Sequence, residues 1–408
     1  MATELEEVRI DTASLALGMY VSRLDRPWEG TPFPLQGFEV RSERELRVLR
    51  ELCRFVYVDR RREVDPRQRQ LLTLMRGERV DERFLGGATY ANQVAVEDEM
   101  PRARDALRAT SALLDQIYAE VASGHALSVE QVAKVVRPLV ASVLRSADAF
   151  LFLEGMRRHD DYLYGHAIAC GALAAAFGRH LGLAESTILS LATAGLLMDI
   201  GKTRLPAELL RRAAPLSPAD VALVRSHVAH GVDIVTASGV ADPDVLDVVR
   251  THHERFDGSG YPDRLFDETI PMAGRMLAII DSYDAMCSAR PYQTAVSRHE
   301  ALQKIYRARG ALYQAELVEQ FQVCLGVYPT GSRVELSTGE IAVVLEQNQV
   351  RRLRPTVLVI STEDKQALED FRVFNLLDQT VGGDTVEIVH TLPVDLYPID
   401  TAGYLAGL

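Results

Sequence analysis

The chain has 408 residues, of which 47% are hydrophobic and 25% are charged, and its formal net charge is -12. This length predicts two or three domains, and the composition excludes a largely disordered protein. The negative charge argues against binding to a nucleic-acid polymer, which needs clustered lysine and arginine, but it is compatible with a small phosphorylated ligand.

The N-terminal part is predicted to be a small α/β unit. Residues 5–60 combine short strand-like runs with one charged amphipathic stretch that begins at Ser42. The segment 60–100 is rich in charge and glycine, which is typical of a linker. We therefore predict an accessory α/β domain together with its linker at residues 1–95.

The middle of the chain is predicted to be helical. From residue 101 to 325 the apolar residues follow a helical period, and the runs HAIACGALAAAFGRHLGL and ESTILSLATAGLLMDI indicate two tightly packed helices. Ser217, Pro218 and Asp220 form a sound helix start, with a capping serine, a first-turn proline and an acid near the positive end of the helix dipole. We place this helical domain at residues 96–325.

After residue 326 the apolar residues alternate with polar ones. The runs SRVELS, EIAVVLEQ and TVLVIS are strand-like and are separated by Thr-Gly and Arg-Pro. We therefore predict a small β-rich extension at residues 326–408. The predicted fold is multidomain and mainly α, with an all-α bundle between a small α/β domain and a small β-rich domain.

The compartment is predicted from cysteines and apolar runs. The four cysteines lie far apart and form no CxxC pair, which suits a reducing compartment and gives no zinc-finger pattern. The acidic N-terminus lacks the apolar core of a secretory signal. No apolar run reaches the roughly 18 residues that a membrane helix needs. We expect a cytoplasmic protein that has no membrane partner.

The histidines give the first chemical signal, since seven of the ten lie between residues 159 and 253. Each has an ordinary explanation, because a lone histidine on an alanine-rich helix is usually a hydrogen-bonded core residue. Together, several apolar helices each present an imidazole or a carboxylate where an unsatisfied polar group is costly. A metal pair would satisfy them all, and mixed nitrogen and oxygen ligands suit iron, manganese or zinc.

The run HHERFDGSGYP, His252–Pro262, follows His166, Asp199 and His227 along the chain. This order resembles the HD-GYP subgroup of the HD-domain phosphohydrolases. The run matches the subgroup's signature without a change, and the resemblance covers residues 155–310. The stretch GMYVSRLDRPWEGTPF is similar to the uncharacterised domain that often precedes HD-GYP units in bacteria, and the strand-like tail is similar to the extension that often follows them. The resemblance implies an HD-type helical bundle and a signalling enzyme. It would hydrolyse cyclic di-GMP to the linear dinucleotide and sometimes to GMP.

The resemblance also implies a set of site residues. Asp199 would bridge two metal ions, and Lys202 would meet a substrate phosphate as a point charge. The glycine-rich loop would form a wall of the nucleotide pocket, and Arg290 would contact a phosphate. The structural alternatives are that Lys202 only neutralises a helix C-terminus and that the loop is only a turn. The implied metal ligands are His166, Asp199, His227, His252, His253 and Asp284, and the implied pocket residues are Lys202, Gly260, Tyr261, Pro262 and Arg290.

One position departs from the family. The defining His-Asp pair is Met198-Asp199 here, and the family's histidine binds the same metal as the equivalents of His166 and Asp284. A thioether is a soft ligand that serves iron or manganese poorly. We therefore expect two metals, iron or manganese in preference to zinc, with the first site weakened or empty. Tyr162 stands where some members carry a glutamate for a third metal, so no third metal is expected.

Three consequences of Met198 remain open. Water could fill the vacant coordination position, the chain could bind the dinucleotide without cutting it, or the change could be incidental in an active enzyme. The function predicted is a metal-dependent cyclic di-GMP phosphodiesterase weakened by Met198. The alternative is a catalytically degenerate cyclic di-GMP sensor, and a third reading is an interaction module with a relic pocket. The accessory domains leave room for protein partners or a dimer.

Overall fold

The structure is a computed structural model that falls into two compact units. The first unit is Met1–Leu85 with Asn348–Leu353, and the second is Gly86–Gln347 with Arg354–Leu408. The described residues are 7–16, 19–26, 38–40, 43–59, 82–84, 86–156, 162–240, 242–288, 295–348, 351–378, 380–381, 384–393 and 396.

The first unit is a small α/β fold, as predicted. An antiparallel sheet has the strand order β1-β4-β2-β3. Alternate residues of the strands, among them Val21, Val56 and Val58, are buried in one core with Leu46 and Leu49 of the helix. The elements are β1 (Glu7–Asp11), β2 (Tyr20–Leu24), β3 (Phe38–Glu39), α1 (Glu43–Leu52) and β4 (Phe55–Asp59).

The second unit begins with a helical bundle, which confirms the mainly α class. None of the described helices is long and apolar enough to cross a membrane. The helices are α2 (Val96–Ala122), α3 (Val129–Arg145), α4 (Ala147–Met156), α5 (Tyr162–His180), α6 (Glu185–Leu197), α7 (Ala207–Leu210), α8 (Pro218–Arg225), α9 (His227–Ala237), α10 (Pro243–Thr251), α11 (Met272–Cys287), α12 (Arg298–Arg307) and α13 (Ala315–Leu325).

Two glycines allow the close backbone approaches that shape the centre of the bundle. A Cβ added at Gly195 on α6 would lie 2.8 Å from the carbonyl of Cys170 on α5, so only glycine lets these helices touch. A Cβ added at Gly201 would collide with the carbonyl oxygen of His227. Gly201 lies in a 3-10 turn, Ile200–Arg204, which follows Asp199 directly. These contacts bring α6 against the middle of α5, and the 3-10 turn after α6 against the start of α9.

The predicted start of α8 is confirmed. The Ser217 side chain accepts from the backbone N–H of Asp220, the Asp220 carboxylate accepts from the backbone of Ser217, and Pro218 occupies the first turn. The run DPDVLDVVRTHHERF predicts a helix that continues past the histidine pair to the turn at Asp257, but α10 ends at Thr251. The N–H of Glu254 bonds to the carbonyl of Thr251, which turns the chain away from the helix.

The second unit ends in an antiparallel sheet with the strand order β11-β5-β6-β7-β8, which confirms the β-rich tail. Val334, Val344, Val357 and Val359 form its buried core. The predicted domain boundaries at residues 95 and 325 stay predictions, because the helices and this sheet belong to one compact unit. The strands are β5 (Arg333–Leu336), β6 (Ile341–Glu346), β7 (Thr356–Ser361), β8 (Ala367–Asn375), β9 (Thr380–Val381), β10 (Asp384–Thr385) and β11 (Ile388–Leu392).

Candidate metal centre

Side chains from five segments of the bundle meet in its interior. Helix α5 supplies His166, and α9 begins with His227. Asp199 follows Met198, which caps the end of α6. The turn after α10 supplies His252 and His253, and α11 supplies two aspartates. All of these side chains are buried except His253, of which 15% is exposed.

The first donor group contains three imidazoles and one carboxylate. The donor atoms of Asp199, His227, His252 and His253 all lie within 4.8 Å of one another. Nε2 of His227 is 3.3 Å from Oδ1 of Asp199, and Nε2 of His252 is 3.7 Å from the same oxygen. The ring centroids of His252 and His253 are 4.1 Å apart. These neighbouring side chains can converge because α10 has already ended at Thr251.

Backbone carbonyls orient two of these rings. Nδ1 of His227 is 2.7 Å from the carbonyl of Val224, and Nδ1 of His252 is 3.0 Å from that of Val248. A carbonyl can only accept, so each Nδ1 carries the proton and each Nε2 turns a lone pair toward Asp199. Oδ1 of Asp199 is buried and has no hydrogen-bond donor among the described residues. Lone pairs gathered around an unsatisfied carboxylate oxygen fit a bound cation.

The second donor group shares Asp199. Nε2 of His166 is 3.6 Å from Oδ2 of Asp199 and 3.2 Å from Oδ1 of Asp281. These three donor atoms also lie within 4.8 Å of one another. The two oxygens of Asp199 therefore face two different groups, which is the arrangement a bridging carboxylate requires.

The ligand role implied for Asp284 stays a prediction. Oδ2 of Asp284 is 2.7 Å from Nδ1 of His166, whereas Asp281 and Asp199 lie near Nε2 of the same ring. The donor atoms of His166, Cys170 and Asp284 form a third group within 4.8 Å of one another. Asp281 was missed in the sequence, although it lies three residues before Asp284 and thus on the same helix face. Cys170 lies against the ring of His166, with Sγ 3.7 Å from Nδ1 and 3.8 Å from Nε2.

The ionisation of Asp199 and His253 favours metal binding, whereas the pKa of His166, which burial lowers, is raised well above its ordinary value by its contacts with Cys170, Asp281 and Asp284. Burial acts to raise the pKa of Asp199, but the ammonium of Lys202 holds that pKa well below its ordinary value. Burial and the neighbouring His252 hold the pKa of His253 well below its ordinary value. The carboxylate is therefore ionised and this imidazole is neutral at neutral pH, the forms in which they bind metals.

Lys202 lies at the edge of the centre. Its Nζ is 2.5 Å from Oδ2 of Asp199, and 15% of its side chain is exposed. The ammonium thus touches the shared carboxylate and remains accessible to an anion.

The loop that carries the HHERFDGSGYP run forms a cavity of 470 Å³ beside the centre. The ring of Tyr261 stacks on His253 with 4.7 Å between the ring centroids, and the guanidinium of Arg225 lies 4.5 Å from the Tyr261 centroid. A Cβ added at Gly260 would collide with the backbone of Glu254 and Arg255, so this glycine permits a tight loop. The cavity is lined by Ala222, Arg225, Gly258, Ser259, Gly260, Tyr261, Pro262 and Arg264.

Three predicted features are placed less completely. Arg290 lies outside the described residues, as does the side chain of Tyr162. Met198 is fully buried at the end of α6, and its N–H continues the helix by bonding to the carbonyl of Ala194. Its burial agrees with a packing role.

Two family models match the chain. An HD domain matches residues 151–317, and a domain of unknown function, DUF3391, matches residues 7–132. The chain is 32% identical over 386 residues to the cyclic di-GMP phosphodiesterase PA4108 of Pseudomonas aeruginosa. The matched region covers 93% of this chain and 92% of that protein.

Shorter matches cover part of the chain. The chain is 29% identical over 222 residues to a cyclic di-GMP phosphodiesterase of Thermotoga maritima, covering 53% of this chain and 60% of that protein. It is 35% identical over 140 residues to the cyclic di-GMP phosphodiesterase response regulator RpfG of Xanthomonas campestris, covering 34% and 37%. Among solved structures, Bd1817 of Bdellovibrio bacteriovorus has a TM-score of 0.47 at 16% identity, covering 78% of this chain and 98% of that one.

Proposed function

The chain belongs to the HD-GYP family of HD-domain hydrolases, and from this membership we propose that it hydrolyses cyclic di-GMP to the linear dinucleotide. The observation that carries the proposal is the position of Asp199. Its two oxygens face two buried donor groups, and the centre adjoins a cavity built from the HHERFDGSGYP loop.

Two metal ions would be held by these groups. His166, Asp199 and Asp281 would hold the first, and Asp199 would share the second with three imidazoles. Asp281 thereby replaces Asp284 as the ligand from α11, because it faces Nε2 of His166 while Asp284 bonds to Nδ1. Mixed imidazole and carboxylate donors suit iron or manganese. A bound metal pair would supply Lewis acidity and a nucleophile from water at neutral pH. The second metal would be held by Asp199, His227, His252 and His253.

The chain's own residues position the substrate. The Lys202 ammonium would contact a non-bridging oxygen of the scissile phosphate, and its contact with Asp199 fixes where that oxygen lies. Asp284 would orient His166 through Nδ1 and keep Nε2 directed into the centre. Tyr261, stacked on His253, would form the cavity wall beside the nucleotide and restrict water there.

Met198 favours a second candidate function. The first donor group offers one imidazole and two carboxylates, while the second offers three imidazoles and the shared carboxylate. A histidine at position 198 would add a nitrogen ligand, and the buried thioether that replaces it is a poor ligand for iron or manganese. A chain that retains only the second metal would bind cyclic di-GMP and signal through its other domains without cutting it.

One experiment separates these functions. The protein is purified without oxygen, loaded with Mn(II) or Fe(II), and incubated with cyclic di-GMP while products are separated by chromatography and binding is followed by calorimetry. We expect the linear dinucleotide to appear slowly. Binding without product would favour the sensor, and the absence of both would contradict both functions.

A further inference from the structure

Two arginines give one side of the cavity a positive charge, and neither belongs to the donor groups of the metal centre. Arg225, the last residue of α8, and Arg264 both line the cavity and are exposed. Among the described residues, neither guanidinium forms an ion pair with a carboxylate. Two other arginines of this region are paired, since Arg250 binds Asp263 at 2.8 Å and Arg212 binds an aspartate at 2.7 Å.

The position of Arg225 relates this charge to the centre. Its guanidinium packs on the ring of Tyr261, and the same ring stacks on the imidazole of His253. A cation held against an aromatic ring loses part of its freedom before any ligand arrives. The ring of Tyr261 therefore lies between the guanidinium of Arg225 and the imidazole of His253, which is a proposed ligand of the second metal.

The backbone of Arg264 supports a role for its side chain. Arg264 has φ of 57°, a left-handed conformation that glycine adopts without cost and other residues adopt at a cost. The turn is held by Glu254, a buried carboxylate whose Oε1 accepts the N–H of Asp263 at 2.7 Å. Glycine would satisfy this turn better than arginine does, so the turn gives no reason for the guanidinium. Backbone strain of this kind is found at functional sites.

We propose that Arg225 and Arg264 form a subsite for the second phosphodiester of the cyclic dinucleotide, the one that is not cut. This inference rests on the proposed function. A cyclic dinucleotide carries two phosphodiesters on one small ring, so the second must lie near the centre when the first is at Lys202. The guanidinium fork matches the phosphate oxygens, and the cavity volume of 470 Å³ suits part of such a ligand.

The test compares two ligands on manganese-loaded protein. Cyclic di-GMP carries two phosphodiesters, and bis(p-nitrophenyl) phosphate carries one. The variants are Arg225→Gln and Arg264→Gly, and the control is Arg307→Gln, which removes an exposed arginine from α12. Calorimetry gives the Kd for cyclic di-GMP, and competition gives that for the second ligand. A melting curve checks folding.

We expect each variant to bind cyclic di-GMP at least tenfold more weakly, which is about the loss of one charge-assisted hydrogen bond. The Kd for bis(p-nitrophenyl) phosphate should change far less, and Arg307→Gln should behave as wild type. Arg264→Gly should melt no lower than wild type, because the glycine relieves the left-handed backbone.

The results that would overturn the subsite differ from those that would overturn the enzyme. If wild type binds cyclic di-GMP and both variants bind it equally well, the subsite is wrong and the proposed function stands. An equal loss for both ligands also refutes it, because the arginines would then act at the reacting phosphate. If wild type binds no cyclic di-GMP, the proposed function fails and the subsite fails with it.

Discussion

Asp284 accepts a hydrogen bond from Nδ1 of His166 at 2.7 Å and so leaves Nε2 of that ring directed at the shared donor group. The carboxylate thus orients a donor from the far side of the imidazole. Asp281 and Asp284 lie on one face of α11 and contact different nitrogens of His166. Asp281 contacts Nε2, the nitrogen that also faces Asp199, and Asp284 contacts Nδ1.

This arrangement predicts different effects for the two aspartates. Asp281→Ala should remove the first metal, because it deletes a ligand. Asp284→Ala should keep both metals but weaken the first by about 10–100-fold, the usual cost of losing a carboxylate that orients a ligating histidine. Metal content after anaerobic dialysis and manganese titrations would measure both effects. Loss of the metal in Asp284→Ala with retention in Asp281→Ala would restore Asp284 as the ligand.

Restoring a histidine beside Asp199 should strengthen the first site. Met198→His adds a nitrogen donor at the end of α6, so manganese content and the rate of cyclic di-GMP hydrolysis should both rise. Met198→Leu is the matched control, since it keeps the volume of a fully buried side chain and removes only the sulfur. If the leucine variant loses metal, the thioether of Met198 is itself a ligand. The prediction that Met198 weakens the first metal site would then be wrong.

Gly201→Ala should destabilise the second unit by about 1–3 kcal/mol, the usual cost of overpacking. The new Cβ would collide with the carbonyl oxygen of His227, and backbone cannot move aside as a flexible side chain does. Urea denaturation would measure the loss. Gly87→Ala is the control, because a Cβ there meets nothing within 4 Å. Equal stability of the two variants would show that the 3-10 turn and α9 are not held this closely.

The start of α8 predicts a pH dependence. Hydrogen bonds from the hydroxyl and backbone N–H of Ser217 lower the pKa of Asp220 below its ordinary value. A carboxyl group with a lowered pKa in the folded state contributes stability above its unfolded pKa, and this contribution is lost as the pH falls through the folded value. Wild type should therefore melt higher than Asp220→Asn at neutral pH, and the difference should shrink and then vanish as the pH falls through the lowered pKa of the folded state. A constant difference across this range would contradict the assignment.

Local signals in the sequence predicted the architecture well. The helical period and then the strand period fix the types of the elements, and Ser217 marks the start of α8 because a cap acts within one turn. The end of α10 was predicted too late. The apolar pattern continues past Thr251, and the turn at Glu254 depends on one backbone hydrogen bond that no side-chain pattern reveals.

The donor set was harder to predict, because it depends on directions in three dimensions. Asp281 and Asp284 are three residues apart on one helix, so spacing cannot tell which of them faces Nε2 of His166. The convergence of His252 and His253 also follows from where the helix ends. Arg225 and Arg264 were not singled out, since a charged residue near a loop is common; the left-handed φ of Arg264 is visible only in the structure.

The stack of Arg225, Tyr261 and His253 has a thermodynamic consequence. One tyrosine ring touches both a cation of the cavity and an imidazole of the centre. If the dinucleotide changes the affinity for manganese, manganese must change the affinity for the dinucleotide by the same factor. Reciprocity of this kind would make the metal supply an input to the signal, with the aromatic ring as the coupling element.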